Sequence, residues 1–162
     1  QEGFFVEDTH IQPARISIEE KNLIEKEVIK AIEAIGINNC PTHTEIKINR
    51  EGAFIIEIAC RLGGDYIPSD LVPLSTGIDR LSVGKEIDTE KKFIAASAVQ
   101  FLNPDNYNKC TNYISTHSKY IIRSEIEPFQ NKVIKNSTDR LGYIIIQCPD
   151  IFKLEKELQI IL

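Results

Sequence analysis

The sequence predicts an α+β protein: an antiparallel hairpin with helices, followed by a small β-rich lobe. Three observations carry this reading. Ser17-Ile18-Glu19-Glu20 is a capping box, and Ile24, Val28, Ala31, Ile32 and Ile35 then recur at helical spacing up to Gly36, which predicts a helix over residues 18–35. Residues 42–49 and 53–59 alternate in strand fashion around Asn49-Arg50-Glu51-Gly52, which reads as a hairpin turn. Past residue 90 the chain is rich in Ile, Val, Phe, Tyr and Thr and closes on an amphipathic stretch.

Ahead of the helix, Gly3-Phe4-Phe5-Val6-Glu7-Asp8 is β-prone, and a loop through His10 and Pro13 follows, so Glu7 and His10 are expected at the exit of a strand. In the hairpin, a loop of residues 50–52 with Gly52 at the bulge position sets Asn49 opposite Ala53 and Glu45 opposite Glu57. One face then carries His43, Glu45, Lys47, Ile55 and Glu57. The other carries Ile46, Ile48, Phe54, Ile56 and Ile58, an apolar set suited to a core. Arg61-Leu62-Gly63-Gly64-Asp65 is a glycine-containing turn, and residues 70–79 show no clear pattern. Residues 93–102 and 113–126 read as β segments with loop signals at Asn103-Pro104-Asp105-Asn106, and residues 142–147 as a short buried strand. After Cys148-Pro149-Asp150, the stripe Ile151, Leu154, Leu158, Ile161 marks a terminal helix. The division expected is 1–85 and 86–162.

A chain of 162 residues, 42% hydrophobic and 27% charged, has the composition of an ordinary globular protein rather than a disordered or fibrous one. Its net charge of -5, with scattered lysines and arginines, offers no basic stripe for a nucleic acid. No apolar run approaches the roughly 20 residues that span a bilayer, so neither nucleic acid nor membrane is an expected partner, and the cytoplasm is the expected compartment. Cys40, Cys60, Cys110 and Cys148 are unevenly spaced without a CxxC pair, which argues for buried or half-buried free thiols rather than a zinc knuckle or redox dithiol. A start at Gln1 and the lack of methionine read as a fragment.

Like charges directly opposite on antiparallel strands repel unless a cation lies between them. Magnesium, a hard ion that takes carboxylate and phosphate oxygens, suits such a pair of glutamates. A solvated face neutralised by Lys47 or Arg50 is the alternative. Arg61 lies four residues beyond Glu57, before two glycines whose backbone can approach a ligand closely, and is positioned for phosphoryl oxygens. A surface ion pair with Glu57 or Asp65 is its plainer role. A transition-metal site of His43, Glu45 and Glu57 lacks a third nitrogen or sulfur ligand nearby.

Thr42-His43-Thr44-Glu45-Ile46-Lys47 together with Ile56-Glu57-Ile58-Ala59-Cys60-Arg61-Leu62-Gly63-Gly64-Asp65 resembles the two metal-binding segments of ATP-grasp enzymes. Within that superfamily the chain is most similar to the L-amino-acid ligases, whose Glu-x-x-His motif is matched by Glu7-Asp8-Thr9-His10. The resemblance implies the C-terminal half of an ATP-grasp domain in residues 1–85, followed by a β-rich lobe. It implies Glu45 and Glu57 as magnesium ligands, and Arg61 as stabiliser of the phosphorylated, tetrahedral intermediate. His10 would assist at the phosphoryl and carboxylate groups, Glu7 would attract the substrate ammonium, and the backbone at Gly63 and Gly64 would complete the substrate pocket. ATP and Mg2+ are the implied cofactors, a small carboxylate and an amine the implied partners, and a homodimer is compatible with the pattern.

Three departures from the family pattern stand out. Ala59 occupies a position where many ATP-grasp enzymes carry a metal-binding asparagine. The segment from Asp79 to Leu81-Ser82-Val83-Gly84-Lys85 is short. The glycine-rich loop and lysines that grip ATP lie, in the family, N-terminal to anything in this chain, so the 162-residue chain alone is expected to be inert. Two other readings share part of the pattern: a purine-biosynthetic or carbamoyl-phosphate-type ATP-grasp enzyme, and a non-catalytic ATP-grasp binding module.

Overall fold

The computed structural model describes residues 4–78 and 93–162. The short segment 79–85 and the division at 85/86 therefore lie outside the described residues. The elements run β1 (Thr9–Gln12), α1 (Ile18–Ile35), β2 (His43–Asn49), β3 (Gly52–Ala59), α2 (Val72–Thr76), β4 (Ala96–Phe101), α3 (Tyr107–Thr116), β5 (Ile121–Ile126), β6 (Gly142–Cys148) and α4 (Ile151–Ile161), with a π-helical turn at Ile67–Leu71 leading into α2. Two compact units emerge, one of Ala14–Gly64 and one of Gln1–Pro13 with Asp65–Leu162. This grouping differs from the division read from sequence because β1 pairs with β4, some ninety residues later, a link that leaves no local signal.

In the first of these units α1 forms where predicted. Ser17 Oγ accepts from the Glu20 N–H, the Glu20 carboxylate accepts from the Ser17 N–H, and Gly36 ends the helix in the left-handed region at φ 72°. The hairpin departs from expectation in two ways that cancel. Asn49 Oδ1 accepts from the N–H groups of both Glu51 and Gly52, tightening the turn so that Asn49 pairs with Gly52 across a two-residue loop. A bulge between Glu45 and Ile46 then shifts the register, leaving Ile56 without an opposite residue and restoring Glu45 opposite Glu57.

Because a one-residue shift exchanges faces, the segment between turn and bulge is inverted from the sequence reading. Ile55 pairs with Ile46 and joins the apolar face, whereas Phe54 pairs with Lys47 on the acid face and is 46% exposed. Ile56, also expected in the core, is 58% exposed.

The other unit is built on an antiparallel sheet in the order β1-β4-β6-β5. Both faces of its centre are covered, which is why β6 reads as an unbroken apolar run. Ala96, Ala98, Ile144, Ile146 and Cys148 pack against Cys110 and Tyr113 of α3 and Leu154, Leu158 and Ile161 of α4. On the opposite face Val99, Phe101, Tyr143 and Ile145 pack with Leu71. The terminal helix follows the predicted stripe, and Asp150 caps it by accepting from the Lys153 N–H.

Two expectations are corrected in this unit. Residues 4–8 form no strand; β1 starts at Thr9, so His10 lies within a strand rather than in a loop, and Glu7 precedes it. Residues 113–116, read as β, belong to α3. Asn103 and Asn106 exchange side-chain to backbone hydrogen bonds that start the helix, and Cys110 and Tyr113, one turn apart, are both fully buried.

The cysteines also divide differently from expectation. Cys110 and Cys148 are buried, and burial pushes their thiols up to about 12 and about 11, but Cys40 and Cys60 are exposed. Cys40 is raised by desolvation and then by the neighbouring Cys60 thiol. A thiol-specific reagent is therefore expected to label Cys40 and Cys60 in the native protein, and Cys110 and Cys148 only after denaturation. Equal rates at all four positions would contradict this burial.

Candidate active site

The predicted site residues fall into the two units. In the Ala14–Gly64 unit, Glu45 and Glu57 are direct partners across β2 and β3. Cross-strand partners point to one face with Cβ atoms roughly 5 Å apart, so the two carboxylates form an outward acidic pair. Arg61 follows at the end of β3, where its Nη2 lies 3.9 Å from Glu57 Oε1 and its Nη1 donates to the Leu62 carbonyl at 3.0 Å. Both members of the ion pair are more than half exposed, so the pair contributes little to stability and leaves the guanidinium free to turn to a ligand. Ala59 pairs with His43 and offers no side-chain oxygen. Among the described residues no three His, Cys, Asp or Glu groups converge to hold an ion.

The two glycines after Arg61 differ. A Cβ on Gly63 would sit 2.8 Å from His43 Nδ1, so a packed imidazole accounts for that glycine. A Cβ on Gly64 would meet nothing within 4 Å, so no packing contact explains the second one.

In the other unit, Glu7 and His10 join two residues that sequence reasoning did not assign to the site. Asp65 Oδ2 lies 3.1 Å from His10 Nε2. Arg140 grips Asp65 with both nitrogens, Nη1 to Oδ1 at 2.9 Å and Nη2 to Oδ2 at 3.0 Å, while Nη2 also donates to the Glu7 carbonyl at 3.0 Å and lies 3.6 Å from the Glu7 carboxylate. The Arg140 side chain is only 8% exposed, and its guanidinium stacks 3.6 Å from the Phe101 ring centroid. His10 pairs with Val99, which puts its ring on the same sheet face as Phe101, and the two rings meet edge to face at 5.9 Å. Asp65 and Tyr66 reach this arrangement through positive φ values of 51° and 63°, a costly conformation for residues other than glycine. Asp65, Arg140, Phe101, Tyr66, Tyr143, Glu125 and their neighbours line a cavity of about 410 Å³.

Partial burial pushes the Asp65 carboxyl up, but the hydrogen bonds from Arg140 and His10 outweigh it and hold the group below the ordinary aspartate range. A carboxyl depressed on folding contributes stability that is present above its unfolded value of about 3.9 and is lost as pH falls through the folded value. Asp65→Asn should therefore be less stable than wild type at pH 6, and the gap in urea midpoint should narrow below about pH 4. A gap that stays constant down to pH 2 would mean that Asp65 carries no such linkage.

Comparison with known proteins bears on the family and the fold. Residues 1–69 match the ATP-grasp domain family. The alanine–anticapsin ligase of Bacillus subtilis is 32% identical over 153 residues, covering 86% of this chain and 31% of the relative, and that of Bacillus amyloliquefaciens matches equally. The fold superposes on an L-amino acid ligase from Bacillus licheniformis with a TM-score of 0.76 at 20% identity, covering 94% of this chain and 42% of that one. A phosphoribosylglycinamide synthetase from Anaerococcus prevotii gives 0.72 at 21%, covering 96% and 44%. The chain belongs to the ATP-grasp family. It spans about a third of the length of the curated relatives it matches. No helix among the described residues is long and apolar enough to cross a membrane.

Proposed function

We propose that this chain supplies the metal and intermediate-stabilising part of an ATP-dependent carboxylate–amine ligase of the amino-acid or dipeptide-forming kind. The observation that carries the reading is the direct opposition of Glu45 and Glu57, with Arg61 at the end of the same strand. Two exposed carboxylates on one face are an oxygen-only donor set. That suits magnesium, which is commonly held by one or two carboxylates together with nucleotide phosphates. When bound, the ion neutralises charge on the transferring phosphoryl group.

The chain's own residues do the rest. Glu45 and Glu57 fix where the ion sits, and Arg61 brings a mobile cation to the oxygens on which charge develops. In a ligase of this class a substrate carboxylate takes the γ-phosphoryl of ATP, giving an acyl phosphate and ADP, and an amine then displaces phosphate. Glu7 offers a negative charge to the substrate ammonium, His10 acts beside the reacting groups, and the open backbone at Gly64 lets a substrate approach.

An amino-acid substrate is favoured by the curated relatives, named as ligases of alanine and anticapsin. The test is phosphate release from ATP and magnesium by the intact protein that carries this chain, across a panel of amino-acid pairs. Release that requires two amino acids supports the reading, and release indifferent to amino acids moves it to another ATP-grasp ligase. Retained magnesium-dependent nucleotide binding without any turnover would identify a binding module.

A further inference from the structure

We propose that Asp65, clamped by Arg140, fixes His10 as its Nε2–H tautomer, so that Nδ1 is the nitrogen His10 presents to a ligand, as a proton acceptor. The proposal rests on the placement of His10 at the reacting groups. A carboxylate can only accept, so the 3.1 Å contact between His10 Nε2 and Asp65 Oδ2 requires the proton on the imidazole side. The two-pronged Arg140 contact keeps Asp65 an ionised acceptor and prevents it from turning away. The ring is held further by its place in β1 opposite Val99 and by the edge of Phe101. Among the described residues no hydrogen bond reaches Nδ1, and the side chain keeps 23% of its surface.

The chemical consequence reverses the expected role of His10. A neutral ring whose only N–H is committed to Asp65 has nothing to donate to a phosphoryl or carboxylate oxygen. It suits the step in which the amine attacks: the C–N bond forms, the C–O bond to phosphate breaks with its electron pair leaving on phosphate, and one nitrogen-bound proton passes to Nδ1. Asp65 and Arg140 are positioning residues in this scheme, acting only through His10.

The experiment uses intact protein labelled with ¹⁵N-histidine, with the His10 signals assigned through His10→Gln. Wild type is expected to show a pyrrole-type shift at Nε2 and a pyridine-type shift at Nδ1 in the neutral ring. Asp65→Ala removes the acceptor at Nε2, and the two ring nitrogens are then expected to shift towards an average of both tautomers. Its kcat should fall at least a hundredfold with a much smaller change in KM for ATP. A wild-type spectrum with the proton on Nδ1 overturns the proposal, and that spectrum needs no variant to fold. An unchanged tautomer in folded Asp65→Ala overturns the part given to Asp65. If the tautomer is as stated but His10→Gln turns over like wild type, the placement of His10 at the reacting groups fails, and the use of Nδ1 fails with it.

Discussion

In the intact protein, Arg61→Ala is expected to lower amino-acid-dependent phosphate release by about 10²- to 10³-fold, the usual loss when one donor to a developing oxyanion is removed. Nucleotide affinity should change far less, because in the proposed role the guanidinium acts chiefly as charge builds on the intermediate. Glu57→Gln should give a comparable loss accompanied by a higher magnesium requirement, since an amide oxygen is a poorer ligand than a carboxylate. Neither change should unfold the protein: the Arg61 to Glu57 contact is long and exposed, so its loss costs less than about 1 kcal/mol. Steady-state release against ATP and magnesium concentration, with a thermal melt of each variant, checks this. Full turnover in both variants would remove Glu57 and Arg61 from the site, whatever the family.

The largest structural effect is expected at Gly142, where Gly142→Ala should destabilise the protein by about 4 kcal/mol or more. Gly142 starts β6 at φ 122°, a backbone conformation that side chains resist, and a Cβ there would lie 2.1 Å from the Glu125 carbonyl oxygen on β5. The obstacle is backbone, so no rotamer relieves it, and the Ile126 to Gly142 pairing at the end of the ladder must open. Gly36→Ala is the control: it also has positive φ, but meets nothing within 4 Å, so it should cost only about 1 kcal/mol. Chemical denaturation of the two variants measures both, and equal midpoints would show that the close approach at Gly142 is relieved by a backbone shift.

The acid pair was legible because the side-chain alternation of strands is strict and the turn signal at Asn49 to Gly52 is strong. The route to it was not. The sequence reading used a three-residue loop and an unbroken ladder, whereas the molecule uses a two-residue loop and a bulge. Two errors of one residue cancel at Glu45 and Glu57, yet between them they move Ile55 into the apolar face and Phe54 and Ile56 out to solvent. Bulges answer to packing against the rest of a unit, and no single residue between Glu45 and Ile56 announces one.

What the sequence by itself determined is what short-range chemistry controls. The capped helix Ile18–Ile35, the terminal helix, the buried strand β6 and the succession Glu45, Glu57, Arg61 all rest on contacts or spacings within a few residues. Only the tertiary structure decided that His10 stands in a strand, because β1 exists through its pairing with β4 rather than through its own propensity. It alone joined Arg140 to Asp65, 75 residues apart, and through Asp65 to His10. An arginine beside a loop carries no mark of the carboxylate it will meet. The mark appears only when folding removes water from the guanidinium, stacks it on Phe101 and leaves a charge that has to be answered by an ionised partner.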